Sequence, residues 1–145
     1  MSVADKGSTH LVLQRASAVW LVLMTGEVIH GTLRTLFVEP LIGSFVARQL
    51  SVFSGSALML GVAYLFIRWI GTSSARQRIA VGLLWLAFTL AFELGVGHYV
   101  FGLPWERLVE DFDLLHGGLL PIGLVILTLS PLIAARWRGV QDQPR

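Results

Sequence analysis

Four long apolar runs constrain this chain more than any other feature: roughly Ala16 to Val38, Gln49 to Ile70, Ile79 to Phe101 and Gly118 to Ala135. Each has 18 to 23 residues, enough at about 1.5 Å per residue to cross a hydrocarbon core of about 30 Å. Inside lipid every backbone N–H and C=O must find its partner within the protein, which leaves helices and closed barrels as spanning structures. None of the runs has the period-two alternation of barrel strands. The expected fold is therefore all-α, an integral membrane four-helix transmembrane bundle over residues 16–138. A polar cytoplasmic tail at 1–15 precedes it, and another at 139–145 follows. Charged residues make up only 14% of the chain, against about 25% in soluble domains, so the lipid bilayer is its first partner.

The connections carry turn chemistry. Glu39-Pro40-Leu41-Ile42-Gly43 reads as the first loop and Gly71-Thr72-Ser73-Ser74 as the second. The third connection, Gly102 to Gly117, is longer. Pro104 suits a first helical turn. Trp105, Leu108, Val109, Phe112 and Leu115 follow at helical spacing, with Glu106, Arg107, Glu110 and Asp113 on other faces. This predicts a short amphipathic interfacial helix over about 104–115, between the third and fourth spans. Pro121 falls in the first turn of the fourth span, where it is tolerated, and Pro131 is a candidate kink near its end.

Lys6, Arg15, Arg68, Arg76, Arg78, Arg136, Arg138 and Arg145 collect on one side of the spans. The other side has Arg48 and Arg107 together with Glu39, Glu106, Glu110, Asp111 and Asp113. Basic residues accumulate on the cytoplasmic side of membrane proteins. Both termini are therefore expected in the cytoplasm, at a bacterial inner membrane, with the acidic interfacial helix outside. The apolar stretch Ala16–Met24 behind Lys6 and Arg15 has the length of a signal-peptide core. No Ala-x-Ala-like cleavage site follows Met24, and apolar character resumes beyond Arg34, so a retained first helix is expected.

Several functions are excluded. The chain has no cysteine, which removes disulfides, thiol–disulfide chemistry, covalent haem attachment and thiolate metal sites. Its basic residues sit singly at the ends of spans and form no stripe that would neutralise phosphates, so no nucleic acid partner is expected. No glycine-flanked serine elbow, phosphate-binding loop or dinucleotide fingerprint appears, which leaves no enzyme class indicated and no cofactor implied.

What remains is a set of ionisable groups inside the spans, each costing roughly 2.5–3.5 kcal/mol on insertion scales and each a site hypothesis by default. Glu27, His30, Gly31 and Arg34 share one face of the first span. At about 100° per residue, Glu27 and Arg34 lie about 20° apart around the axis and about 10 Å apart along it, with His30 between them. In the second span Arg48, Ser51 and Gly55 share a face, with Ser54 nearby. In the third, Gly82, Thr89, Glu93 and Gly97 form a small and polar stripe of the kind that faces another helix. Antiparallel threading puts Glu27, His30, Arg34, Arg48 and Glu93 together in the outer half of the bundle.

Two uses of this cluster follow. Glu93 pairing with Arg34, and Arg48 with Glu27 or a loop carbonyl, would fix helix register. The same groups lining a cavity open to the outside would bind a small ion or polar ligand, or relay protons. A structural or accessory subunit of a larger membrane complex, or of a homo-oligomer, is the alternative from another class. Metal chemistry rests on spacing alone. Glu27-x-x-His30 has the spacing of di-iron helix bundles, making Glu27 and His30 the candidate ligands, and Asp113-x-x-His116 repeats it in the outer connection. His30 and His98 are the candidates for a bis-histidine haem. His98, however, sits about 140° around its helix from Glu93 and reads as an interface anchor beside Tyr99 and Trp105. Ser51, Ser54, His98, Asp113 and His116 complete the candidates.

Overall fold

The computed structural model describes residues 3–110 and 112–142, without the side chains of residues 3–8 and of Arg107. Of the charges counted above, Asp111, Arg145 and the side chains of Lys6 and Arg107 thus lie outside the described residues. The elements are α1 (Val3–Leu33), a π-helical turn (Arg34–Val38), α2 (Glu39–Ile42), α3 (Ser44–Ile70), α4 (Ala75–Gly95) and a second π-helical turn (Val96–Val100). α5 (Trp105–Glu110), a 3-10 turn (Leu114–His116) and α6 (Leu120–Trp137) follow. The chain is an all-α four-helix bundle. Its four long helical stretches, Thr9–Ile42, Ser44–Ile70, Ala75–Val100 and Leu120–Trp137, are each long and apolar enough to cross a membrane.

The helices run further than the hydropathy boundaries. Backbone from Val3 is already helical, so residues 3–15 extend the first helix. Residues Glu39–Ile42, expected as loop, continue the helix, because Pro40 is tolerated in a first turn. The break falls at Gly43, whose φ of 82° an L side chain rarely adopts. The interfacial helix is shorter than expected, Trp105–Glu110 rather than 104–115, and ends in a turn and the 3-10 segment. α6 carries Pro131 inside it and continues to Trp137.

α3 packs against α1 and α6, and α4 against the same two, so the four long helices form a ring. With no water to expel between helices in lipid, close packing and interhelical hydrogen bonds must hold them. Both appear at the end of the bundle that carries the chain termini. There Ala16, Val19 and Leu23 of α1 meet Ala63 and Ile67 of α3, Val81 and Trp85 of α4, and Leu127 and Ala134 of α6 in one buried cluster. Trp85, fully buried, donates its indole N–H to the Ala16 carbonyl at 2.8 Å. Gly82 lets α4 touch the α6 backbone, for a Cβ there would run into the Thr128 carbonyl. The outward faces, Leu21, Phe53, Leu83 and Val125 among them, are exposed apolar surface of the kind lipid solvates.

Arginines tie down the terminal end. Arg78 is buried and bonds Thr72 Oγ1 (3.3 Å), the Val140 carbonyl (3.2 Å) and Asp142 (2.7 Å). Arg68 donates to the Arg138 carbonyl at 2.9 Å, Arg138 to the Leu65 carbonyl at 3.0 Å and Arg15 to the Trp69 carbonyl at 3.0 Å. Apolar core and arginine clasp thus close this half of the bundle. The other half is built differently.

Candidate functional site

Toward the end that carries the α4–α6 connection, the four helices part around a cavity of about 720 Å³. Its position follows from the sequence. The second half of α1, the first half of α3, the end of α4 and the start of α6 carry the polar and small residues, whereas their other halves carry the apolar core. Met24, Met59 and Leu124 line the depth of the cavity. Beside them the Trp20 indole N–H donates to Thr89 Oγ1 at 3.0 Å, and the Trp20 ring meets Phe88 and Phe92 edge-on. Below this floor lies the dry core.

Glu27, His30, Arg34, Arg48 and Glu93, the five residues singled out by the sequence, all line this one cavity, as does Ser51. Glu27 lies against α3 where Gly55 leaves space, a Cβ at that position falling 3.1 Å from Glu27 Oε2. The same Oε2 is 3.5 Å from His30 Nδ1. The far side of the imidazole, Nε2, bonds Ser54 Oγ at 2.8 Å, so Ser54 reaches the cluster through His30. Three buried side-chain atoms of lining residues make no hydrogen bond within the protein: Glu27 Oε1, Arg34 Nε and the hydroxyl of Ser56, a residue only 8% exposed. Buried polar atoms are as a rule satisfied, and each exception asks for a cause.

Arg34 contacts a carboxylate that the helical wheel did not bring to it. Its Nε is 3.2 Å from Glu39 Oε1, and its Nη1 donates to Ser51 Oγ at 3.3 Å. The π-helical turn makes the first contact. The Glu39 N–H bonds the Arg34 carbonyl five residues back, and the same five-residue step brings the two side chains onto one face. Read as a loop residue, Glu39 gave no sign of this pairing.

At the rim, Asp113 and His116 face the opening. Asp113 accepts from the Leu115 N–H at 3.0 Å and meets His116 Nδ1 at 2.6 Å. The His116 hydrogen bond holds the Asp113 carboxyl below its ordinary range. Gln49 Nε2 donates to the Gly117 carbonyl at 3.4 Å, fastening the connection to α3. Glu110 also reaches the lining, a position the sequence gave only as the polar face of an interfacial helix.

His98 stands apart from the cluster. Its ring stacks on Trp105 with centroids 4.2 Å apart, and its Nδ1 is 2.9 Å from the Leu103 carbonyl. Gly97 makes room for Leu108 of α5 beside it. Among the described residues, no three His, Cys, Asp or Glu side chains converge as a metal site.

Ser54, His30 and Glu27 lie in the order of a nucleophile, base and acid. Acyl transfer also needs donors aimed at an oxyanion, and Ser54 sits inside α3, where backbone N–H groups are spent on the helix itself. The arrangement suits holding a polar group and exchanging a proton with it. Compared with protein-family models, curated proteins and solved structures, the chain finds no match.

Proposed function

We propose that the cavity is a binding site for a small polar ligand, entered from the outer face of a bacterial cytoplasmic membrane with both termini in the cytoplasm. The observation that carries this reading is the set of three atoms without a hydrogen bond in the protein, Glu27 Oε1, Arg34 Nε and Ser56 Oγ, on a cavity of about 720 Å³ lined by eight charged or titratable side chains. A cluster serving only to fix helix packing repays its desolvation by pairing its members completely. Here the pairing stops short at the cavity wall. The volume lies within the roughly 300–1,000 Å³ of small-molecule sites.

The closed half of the bundle separates binding from conduction. A proton can shift along Glu27, His30 and Ser54. Beneath the Trp20–Thr89 bond, however, the buried cluster is apolar but for Trp85's bonded indole, and the buried Ser130 hydroxyl nearby is spent on the Leu127 carbonyl of its own helix. Local proton exchange with a ligand fits this arrangement better than passage across the membrane. The orientation rests on the basic residues Arg15, Arg68, Arg76, Arg78, Arg136 and Arg138 gathered at the terminal end.

The natural chain has no cysteine, so single-cysteine variants report accessibility without background. Ser56→Cys in intact cells is expected to react with a small membrane-impermeant thiosulfonate added outside. Ser130→Cys, in the buried part of α6, is expected to stay unreacted, and exposed Gly139→Cys to react only after permeabilisation. Labelling of Gly139→Cys from outside would reverse the orientation, and an unreactive Ser56→Cys would close the cavity.

A further inference from the structure

We propose that the terminal end of the bundle carries a site for an anionic phospholipid, its phosphate on Arg136 and one acyl chain along α6. The site lies at the opposite end from the cavity and stands whether or not the cavity takes a ligand.

The arginines at the terminal end divide into two kinds. Arg15, Arg68, Arg78 and Arg138 are spent on the protein itself, on main-chain carbonyls and on Asp142. Arg76 and Arg136 are exposed, and among the described residues their side chains make no hydrogen bond or ion pair. Arg136 stands in a recess of about 460 Å³ between the start of α4 and the end of α6, which Arg78, Leu132, Ile133 and Val140 line with it. Arg78 and Asp142 neutralise each other at 2.7 Å. The charge left over on the recess is thus the Arg136 guanidinium, which only donates and whose planar fork matches phosphate oxygens.

The apolar part of the recess says what carries the phosphate. At about 100° per residue, Val125, Leu129, Leu132, Ile133 and Arg136 fall within about 100° of one another around α6. Val125 and Leu129 are exposed, so an apolar strip leads from Arg136 toward the middle of the membrane. From Arg136 to Val125 it spans about 16 Å at about 1.5 Å per residue, close to the half-thickness, about 15 Å, of a bilayer's hydrocarbon core. Trp137, 61% exposed beside Arg136, marks the headgroup level, where indoles settle. A free phosphate would use the guanidinium and leave the strip idle, whereas a phospholipid uses both. A zwitterionic headgroup would need an acid for its ammonium, and Asp142, the carboxylate beside Arg78, is already taken.

The test is native mass spectrometry of the delipidated full chain in detergent, titrated with dioleoyl phosphatidylglycerol or dioleoyl phosphatidylcholine. Phosphatidylglycerol is expected to occupy its first site about fivefold more tightly, the worth of one basic residue facing anionic lipid. Arg136→Gln is expected to abolish that preference. Arg76→Gln is expected to keep it, because Arg76 lies about 160° around α4 from Arg78. Both side chains are exposed and unbonded, so neither change removes a contact the fold uses. Glycerol 1-phosphate, which has the anion without the acyl chains, is expected not to compete.

Equal binding of the two lipids by the natural chain would overturn the proposal, and that comparison needs no variant. So would a preference that survives Arg136→Gln. Equal losses in Arg76→Gln and Arg136→Gln would reduce the effect to diffuse surface charge and remove the recess as its seat. Displacement of the lipid by glycerol 1-phosphate would mark a free phosphate as the occupant and overturn the assignment to lipid.

Discussion

The close crossing of α4 and α6 at Gly82 yields the sharpest stability prediction. A Cβ at Gly82 would collide with the Thr128 carbonyl and stand 3.0 Å from its carbon and 3.4 Å from its Cα. Ordinary carbon–carbon contacts lie at about 3.5–4.0 Å, and the carbonyl oxygen stands nearer still, so Gly82→Ala must push the two helices apart by about 1 Å. The obstacle is backbone inside a helix, and no rotamer change relieves it. A gap of that size forfeits a quarter to a half of each dispersion contact it opens, around fully buried Val81, Trp85 and Leu127. Overpacking of this kind costs about 1–3 kcal/mol. Replacing a helical glycine by alanine returns up to about 1 kcal/mol, which leaves a net loss of about 1–2 kcal/mol. Gly61→Ala is the control, since a Cβ there meets nothing within 4 Å. The assay is reversible unfolding in mixed micelles on titration with dodecyl sulfate, followed by tryptophan fluorescence. Gly82→Ala as stable as Gly61→Ala would refute the packing argument.

Trp85→Phe is expected to lose about 1–3 kcal/mol in the same titration, from the bond to the Ala16 carbonyl and the unfilled volume; an unchanged midpoint would deny that bond a role. Arg34→Gln and Glu39→Gln, each alone and combined, are expected to couple by about 0.5–1 kcal/mol, modest because both side chains are about a quarter exposed. Losses that simply add would dissolve the pair. Asp113, held low by His116, is ordered by its ionised form. That contribution is present above the ordinary carboxylate range and is lost as pH falls through the lowered value. His116→Phe is expected to raise the Asp113 titration in carboxyl 13C NMR; identical titration in both proteins would show that His116 does not set it.

Hydropathy and helical periodicity are short-range quantities, and what they encode was legible. The four spans follow from run length, and the Gly82–Thr89–Glu93 stripe foretold which face of α4 turns inward, Gly82 and Thr89 both being buried. Helix ends were less legible, since Pro40 is as compatible with a helix start as with a loop, and only the conformation at Gly43 breaks the chain. Contacts that depend on a departure from α-helical pitch were invisible. Arg34 and Glu39 share a face only across a π-helical turn, and no residue pattern announced one. Arg78, counted as a charge at the membrane edge, is buried against the Val140 carbonyl and Asp142. That contact joins positions more than sixty residues apart, which a local pattern cannot supply. The cluster itself was legible as a face and a depth, but the unpartnered atoms of Glu27, Arg34 and Ser56 emerge only with the helices in place.

Native mass spectrometry of the protein, gently extracted from its own membrane, tests the central claim most directly. A ligand site in the cavity is expected to retain a small non-metal adduct on the natural chain, lost from a folded Glu27→Gln variant whose oligomeric state is unchanged. A bare natural chain, or an adduct that survives Glu27→Gln undiminished, would contradict the claim and leave the charged cluster as a device of helix packing.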